Sequence, residues 1–218
     1  TIIDDAVTQI VERQPEFSVE NLPLDDKETY ALISAGDTGG VFQLESYGMR
    51  QMLQEMKPRN MDDILAAIAL YRPGPMDSIP KYIAGRNHPE SVKYEVPALK
   101  PILSSTYGCI VYQEQVMTIL RELGGFSFGH ADIVRRAMSK KKASAMESER
   151  KAFVQGVCEK GVPESTADHL FDEMAAFANY AFNKSHAAAY AVIAYRTAYL
   201  KAHYPREYFA ALLTSVLD

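Results

Sequence analysis

The sequence predicts a mostly α-helical protein with a proline-rich irregular middle and at most a short strand or two. Apolar residues recur at spacings of three and four along most of the chain, which is the spacing of one helix face. Capping residues precede several of these stretches, and glycine or proline follows them. Residues 85–108 are the least regular part, because prolines and glycines interrupt them repeatedly.

Helices in the first part of the chain are predicted from apolar stripes and end signals. Asp25 followed by Glu28 resembles a capping box, and Asn60 is expected to cap a later helix. That helix must end at the Pro73-Gly74-Pro75 turn, because proline lacks the backbone N–H. The stripes are Ile3, Val7, Ile10 and Val11, then Met49, Met52, Leu53 and Met56, then Met61, Ile64, Leu65 and Ile68.

A short extended segment, residues 109–112, is expected after the irregular middle, and further helices follow it. Their stripes are Val116, Ile119, Leu120 and Leu123, then Phe153, Val154 and Val157, then Leu170, Phe171, Met174 and Phe177. Residues 185–203 are apolar on most faces, as is typical of a central buried helix. Pro205 fits the first turn of a last helix, which carries Phe209, Leu212, Leu213 and Val216.

Composition excludes several classes of protein. The 218 residues are 47% hydrophobic and 23% charged, with two cysteines, and this composition excludes a disulfide-stapled miniprotein, a collagen and a disordered chain. The net charge is −5. There is no secretory leader or apolar run of about 20 residues, so no membrane segment is predicted. The five histidines are not paired at helical spacing, and the sequence predicts no structural zinc site.

The abrupt ends of the sequence favour a piece of a longer chain. Within this piece, residues 85–108 are expected to join two possible lobes, 1–84 and 109–218.

A basic cluster is the first candidate for function. Residues 133–142 contain Arg135, Arg136, Lys140, Lys141 and Lys142 and no acidic residue. Arginine can hold phosphate oxygens through two parallel hydrogen bonds, and lysine adds a point charge, so the cluster can form a phosphate clamp. A solvated helix end, where cations are favoured by the helix dipole, remains the alternative.

The second candidate is the start of the alanine-rich helix. Asn183 or Ser185 can cap it, which leaves free N–H groups that favour an anion, and Lys184 and His186 flank this end. Tyr190 follows in the same segment, and tyrosine faces can stack on nucleobases. An ordinary capped helix with a histidine packed in the core is the alternative.

Two weaker signals stay open. Arg72 precedes the Pro-Gly-Pro turn, which would hold it in one direction for either a structural ion pair or a ligand contact. Residues 36–40, GDTGG, loosely resemble a phosphate-binding loop. They lack the lysine of such loops, which favours a plain turn between helices.

Several segments together resemble the C-family of bacterial replicative DNA polymerases, the DNA polymerase III alpha subunits. They keep the family's order along nearly the whole chain. The segments are GVFQLES at 40–46, YRPGP at 71–75, TYGCIVYQEQVM at 106–117, RRAMSKKK at 135–142, FNKSHAAAY at 182–190 and LKAHYP at 200–205.

This resemblance implies that the chain is the fingers region of such a polymerase. Arg135 and Arg136 would then bind the triphosphate of the incoming dNTP, and Asn183, Lys184, Ser185, His186 and Tyr190 would line the pocket of the nascent base pair. Arg72, Lys140, Lys141 and Lys142 would contact nucleotide or the backbone of primer-template DNA.

The resemblance also implies what this chain lacks. The palm aspartates that bind Mg²⁺ would lie before residue 1, and the helix-hairpin-helix and clamp-binding region would follow residue 218. The chain alone is therefore expected to hold no metal or catalytic residue and to be inactive. Partners of the whole enzyme would include the sliding clamp, the clamp loader and other replisome subunits in the bacterial cytoplasm. A helical protein-interaction module and a basic helix without a specific ligand are the alternatives.

Overall fold

A computed structural model describes residues 1–139 and 143–217, and this part of the chain is helical without a β-sheet. The prediction of a mostly α fold is confirmed. One parallel bridge joins Tyr112 to Phe182 and stands where a short strand was expected. No described helix is both long enough and apolar enough to cross a membrane.

The chain divides into two compact units. The first contains residues 1–68 and 185–218, and the second contains residues 69–184. Residues 85–108, which were expected to join two lobes, lie within the second unit. There they form short turns of 3-10 helix at Pro89–Ser91, Pro97–Leu99 and Ser104–Thr106, and one short α-helix.

The first unit is built from helices of the two ends of the chain. They are α1 (Ile2–Val11), α2 (Lys27–Ser34), α3 (Tyr47–Met56), α4 (Met61–Leu70, to residue 68), α11 (Lys184–His203, from residue 185) and α12 (Pro205–Leu217). Asn60 caps α4 as predicted, since its Oδ1 accepts from the Asp63 N–H at 3.0 Å. The cap of α2 was wrong by one residue, because Asp26 and not Asp25 accepts from the Thr29 N–H, at 2.8 Å.

The core of the first unit joins the beginning and the end of the sequence. Ala6 and Ile10 of α1 are buried together with Leu200, Tyr208 and Ala211. α12 buries the face that carries Tyr208 and Ala211, and several of its other apolar side chains are exposed to solvent. Leu213, Val216 and Leu217 are 65%, 79% and 85% exposed. The predicted helix is present, but three residues of its predicted stripe, Phe209, Leu213 and Val216, are exposed.

The core of the second unit includes two neighbouring phenylalanines. The helices are α5 (Ile79–Asn87), α6 (Lys100–Leu103), α7 (Gln113–Glu122), α8 (Phe128–Ser139), α9 (Ala143–Cys158) and α10 (Glu164–Ala178). Phe153 of α9 and Phe171 of α10 are buried with their rings 5.6 Å apart. The predicted stripe residues Val116, Ile119, Leu120, Leu123, Phe153, Val157, Leu170, Phe171 and Met174 all lie in this core.

Candidate functional site

Arg135 and Arg136 lie side by side on α8 and share the carboxylate of Asp132. The Nη2 atom of Arg135 lies 2.9 Å from Asp132 Oδ1, and that of Arg136 lies 2.8 Å from Asp132 Oδ2. The two arginines differ in access, because the Arg135 side chain is 13% exposed and that of Arg136 is 66% exposed. Arg136 therefore presents its guanidinium to solvent, whereas Arg135 is held against the protein.

Asp132 is a residue of this site that the sequence did not single out. Hydrogen bonds from Arg135 and then Arg136 lower the pKa of its carboxyl below the usual range, so it is ionised at neutral pH. It offsets part of the positive charge of the pair. The signal was present in the sequence, since Asp132 precedes the arginines by three and four residues, the spacing of ion pairs on one helix face. Lys140, Lys141 and Lys142 lie outside the described residues.

Residues 180–184 form a segment that runs along the start of α7. The Phe182 N–H donates to the Val111 carbonyl at 3.1 Å, and the Gln113 N–H donates back to the Phe182 carbonyl at 2.9 Å. The Gln113 side-chain amide adds a bond to the Ala181 carbonyl at 3.1 Å. The predicted nucleotide-binding residues Asn183 and Lys184 are thus carried by a segment with fixed backbone geometry.

The carboxylate of Glu114 lies at the first residue of α11. The Lys184 N–H lies 3.1 and 3.0 Å from the two Glu114 carboxylate oxygens, and Asn183 Nδ2 donates to one of them at 3.3 Å. The ammonium of Lys184 lies 5.4 Å from the ring centroid of Tyr112. An anion does occupy this helix start, as helix electrostatics favours, but it is a side chain of the same protein.

Arg72 contacts the same segment from the Pro-Gly-Pro turn. Its guanidinium donates to the Tyr180 carbonyl at 2.8 Å and to the Ala69 carbonyl at 3.2 Å, and it lies 4.2 Å from the ring centroid of Phe182. Partial burial lowers the pKa of Arg72, which still leaves arginine charged at neutral pH. These contacts are with backbone carbonyls and an aromatic ring, rather than with the carboxylate of an ion pair.

Ser185, His186 and Tyr190 belong to the first unit and lie in the first turns of α11. Ser185 and His186 are exposed, and Tyr190 is partly buried. The His186 ring lies 4.2 Å from that of Tyr190, which in turn lies 5.3 Å from Phe42. His186 is therefore not the core histidine of the alternative hypothesis.

We expect replacement of His186 by alanine to change the free energy of unfolding by no more than about 0.5 kcal/mol, because an exposed ring leaves no cavity. If His186 has the role that the resemblance implies, the same change in the full-length protein would impair nucleotide incorporation or alter fidelity. Thermal unfolding and single-nucleotide incorporation on one variant separate the two effects. A lowered midpoint with normal incorporation and normal misincorporation would contradict a role at the site.

The loop of residues 36–40 is organised around a buried lysine. Lys201 Nζ lies 2.8 Å from the Asp37 carbonyl, 2.9 Å from Asp37 Oδ1 and 3.1 Å from the Gly39 carbonyl. A phosphate-binding loop directs its N–H groups at the ligand, whereas this loop directs oxygen atoms at a cation. The interpretation as a plain turn fits this geometry, and the phosphate-loop likeness does not.

One described group of side chains has the composition of a metal site. Glu95, His169 and Glu173 are all exposed and bring their ligand atoms within 4.8 Å of one another. His169 Nδ1 lies 2.9 Å from Glu95 Oε1, and this hydrogen bond raises the pKa of His169. The geometry is accounted for by an exposed ion pair between His169 of α10 and Glu95, which precedes α6.

A cavity of about 650 Å³ lies beside the start of α11 in the second unit. Its lining includes Tyr112, Glu114 and Lys184, with Ile102 and Thr118 from the neighbouring helices. The contact between Glu114 and Lys184 is therefore accessible from solvent.

The structure is that of an α-helical module. A helical fold does not by itself specify a function, which depends on the side chains at the site. Residues 1–161 match the family described as the bacterial DNA polymerase III alpha subunit finger domain. The chain belongs to this family, which confirms the resemblance drawn from its motifs.

Individual relatives agree with this family. The chain is 52% identical over 200 residues to DNA polymerase III subunit alpha of Halalkalibacterium halodurans and 51% identical over 220 residues to that of Thermus aquaticus. It is 47% identical over 218 residues to the subunit of Borreliella burgdorferi. These matches cover 92%, 98% and 100% of the chain but only 18%, 18% and 19% of the relatives. The chain thus spans about a fifth of the length of these curated relatives.

Proposed function

We propose that this chain positions the incoming dNTP and primer-template DNA in a bacterial replicative DNA polymerase. The observation that carries the proposal is the arginine pair of α8 in a member of the finger-domain family. Phosphoryl transfer depends mainly on positioning and on stabilisation of phosphate charge. Arg136, whose side chain is 66% exposed, is available to a triphosphate, and Arg135 supports it from a fixed position.

The start of α11 is the second segment that we propose to bind the nucleotide. Asn183, Lys184, Ser185, His186 and Tyr190 would line the pocket of the nascent base pair. The exposed His186 and the partly buried Tyr190, whose rings lie 4.2 Å apart, support this role, because aromatic side chains can stack on nucleobases. Lys140, Lys141 and Lys142 are proposed to contact the DNA backbone.

Magnesium belongs to the proposal only for the full-length protein, where carboxylates outside these residues would hold it. Within the described part of the chain, Asp4 is engaged in the capping box of α1, and Asp26 accepts from Thr29 and His203. Glu95, His169 and Glu173 include a histidine, which does not suit the all-oxygen shell that magnesium prefers. These residues do not fit a catalytic magnesium site, and no step through the metal is assigned to them.

Partners of the full-length protein form part of the same proposal. They would include the sliding clamp, the clamp loader and other replisome subunits, bound mostly through regions outside this chain, in the cytoplasm of a bacterium. The exposed Leu213, Val216 and Leu217 of α12 favour the second candidate function, a helical protein-interaction module.

The purified 218-residue chain is expected not to extend a primer in the presence of Mg²⁺, because the resemblance places the metal-binding carboxylates outside this chain. Weak DNA binding should remain and should fall steeply with salt, since each neutralised phosphate adds about −0.9 to the log–log slope. Primer extension and a salt titration of labelled primer-template measure both results. Steady incorporation by this chain, or binding insensitive to salt, would contradict the proposal.

A further inference from the structure

The five residues from Tyr180 to Lys184 are held by side chains from two distant parts of the second unit. Arg72 donates to the Tyr180 carbonyl, and Gln113 donates to the Ala181 carbonyl, at 2.8 and 3.1 Å. Glu114 accepts from the Lys184 N–H and from the Asn183 side chain. Every residue of the segment therefore makes a backbone or side-chain bond, or a ring contact, with the turn at Arg72 or with the start of α7.

We infer that Glu114 is a positioning residue, which fixes the direction of Asn183 and Lys184 toward the nucleotide. The carboxylate oxygens of Glu114 lie 3.0 and 3.1 Å from the backbone nitrogen of Lys184. These contacts fix the backbone at the start of α11 and therefore the directions of the Asn183 and Lys184 side chains. This inference rests on the proposed function. In the inferred role, Glu114 does not contact the nucleotide itself. It acts only by positioning Asn183 and Lys184.

The neighbours of Glu114 show why this residue, and not the whole of its motif, has the role. Gln115 turns inward, where its Oε1 accepts from the Val111 and Tyr112 N–H groups at 2.8 and 2.9 Å, and it is buried. Gln113 reaches the Ala181 carbonyl. Glu114 alone of the three places a charged group at the start of α11, beside the solvent-accessible cavity.

The same contacts assign Arg72 a supporting role. Its guanidinium is engaged with two backbone carbonyls and lies over the Phe182 ring. These contacts hold the beginning of the segment, as Glu114 holds its end. We therefore favour positioning of residues 180–184 over the DNA contact that the resemblance implies for Arg72.

The test uses the full-length polymerase subunit with Glu114→Ala and Glu114→Gln, and with Glu122→Gln as a matched control. Glu122 lines the same cavity from the other end of α7, but its carboxylate lies 3.7 Å from Arg121 Nη2 rather than at the start of α11, and its side chain is 58% exposed. Glutamine keeps an acceptor oxygen for the Lys184 N–H, whereas alanine removes it. We expect Glu114→Ala to lower kcat/KM for dNTP about tenfold, while Glu114→Gln retains most of the activity and Glu122→Gln is unchanged.

A second measurement tests the hydrogen bond itself. Amide exchange of a peptide that contains residues 182–186 should be faster in Glu114→Ala than in the parent or in Glu122→Gln.

Unchanged kcat/KM in Glu114→Ala would overturn the inference. Equal losses of kcat/KM in both Glu114 variants, together with a lowered unfolding midpoint, would also overturn it. Arg136→Ala, measured alongside, separates the two claims: if it impairs dNTP use and Glu114→Ala does not, only the positioning role fails. If neither variant affects dNTP use, the proposed function fails as well.

Discussion

Replacement of Arg136 by alanine in the full-length polymerase subunit is expected to lower kcat/KM for dNTP by about 10- to 150-fold. This range corresponds to the loss of one charge-assisted contact of roughly 1.5–3 kcal/mol. The unfolding midpoint should stay unchanged, because the Arg136 side chain is 66% exposed and its ion pair with Asp132 is at the surface. Steady-state incorporation opposite a defined template base measures the effect.

Arg135→Ala is expected to produce a kinetic loss in the same range and also a lower stability. Arg135 is 13% exposed and donates to Asp132 through both Nε and Nη2, at 3.3 and 2.9 Å. Its removal would therefore disturb α8 as well as the proposed phosphate contact. Lys151→Ala provides a control, since Lys151 is an exposed cation on α9 paired only four residues away with Glu147. Normal kinetics in both arginine variants would leave the solvated-helix hypothesis in place.

Replacement of Lys201 by methionine is expected to destabilise the purified chain by about 3 kcal/mol. Lys201 is 9% exposed, and its ammonium is bonded to two backbone carbonyls and a carboxylate of the loop at residues 37–39. Methionine fills a similar volume but cannot donate, so the carbonyls of Asp37 and Gly39 lose their partner. Hydrogen bonds that involve a charged group contribute about 1.5–3 kcal/mol to stability.

Urea denaturation followed by circular dichroism measures this change in the free energy of unfolding. Lys151→Met is the control, because the Lys151 side chain is 76% exposed and its loss should change stability by no more than about 0.5 kcal/mol. An equal, small change in both variants would show that the loop does not depend on Lys201.

Helix periodicity predicted the elements of the fold because it depends on neighbours within two turns. The stripe of Met49, Met52, Leu53 and Met56 is buried throughout α3, as a single face packed in a core must be. The same rule misled at α12, where Leu213 and Val216 have helical spacing but remain exposed. A pattern of apolar residues indicates a face that needs a partner and does not indicate whether the partner lies within these 218 residues.

The candidate site was predicted only in part, because sequence patterns reveal groups of residues that are close in the chain but not pairs that are far apart in it. Charge composition found Arg135 and Arg136, and a window that began one residue earlier would have included Asp132. The bond between Glu114 and Lys184 joins residues 70 apart, and that between Lys201 and Asp37 joins residues 164 apart. Pairings at such separations are set by tertiary packing, which local spacing does not encode.

Binding of dNTP to the full-length subunit on primer-template DNA tests the central claim most directly. Isothermal titration with the correct dNTP would compare the parent protein with the double variant Arg135→Ala/Arg136→Ala and with Lys151→Ala. We predict tight binding by the parent and by Lys151→Ala, and a dissociation constant raised at least tenfold in the double variant. Equal dissociation constants in all three proteins would contradict a role of the arginine pair in holding the nucleotide.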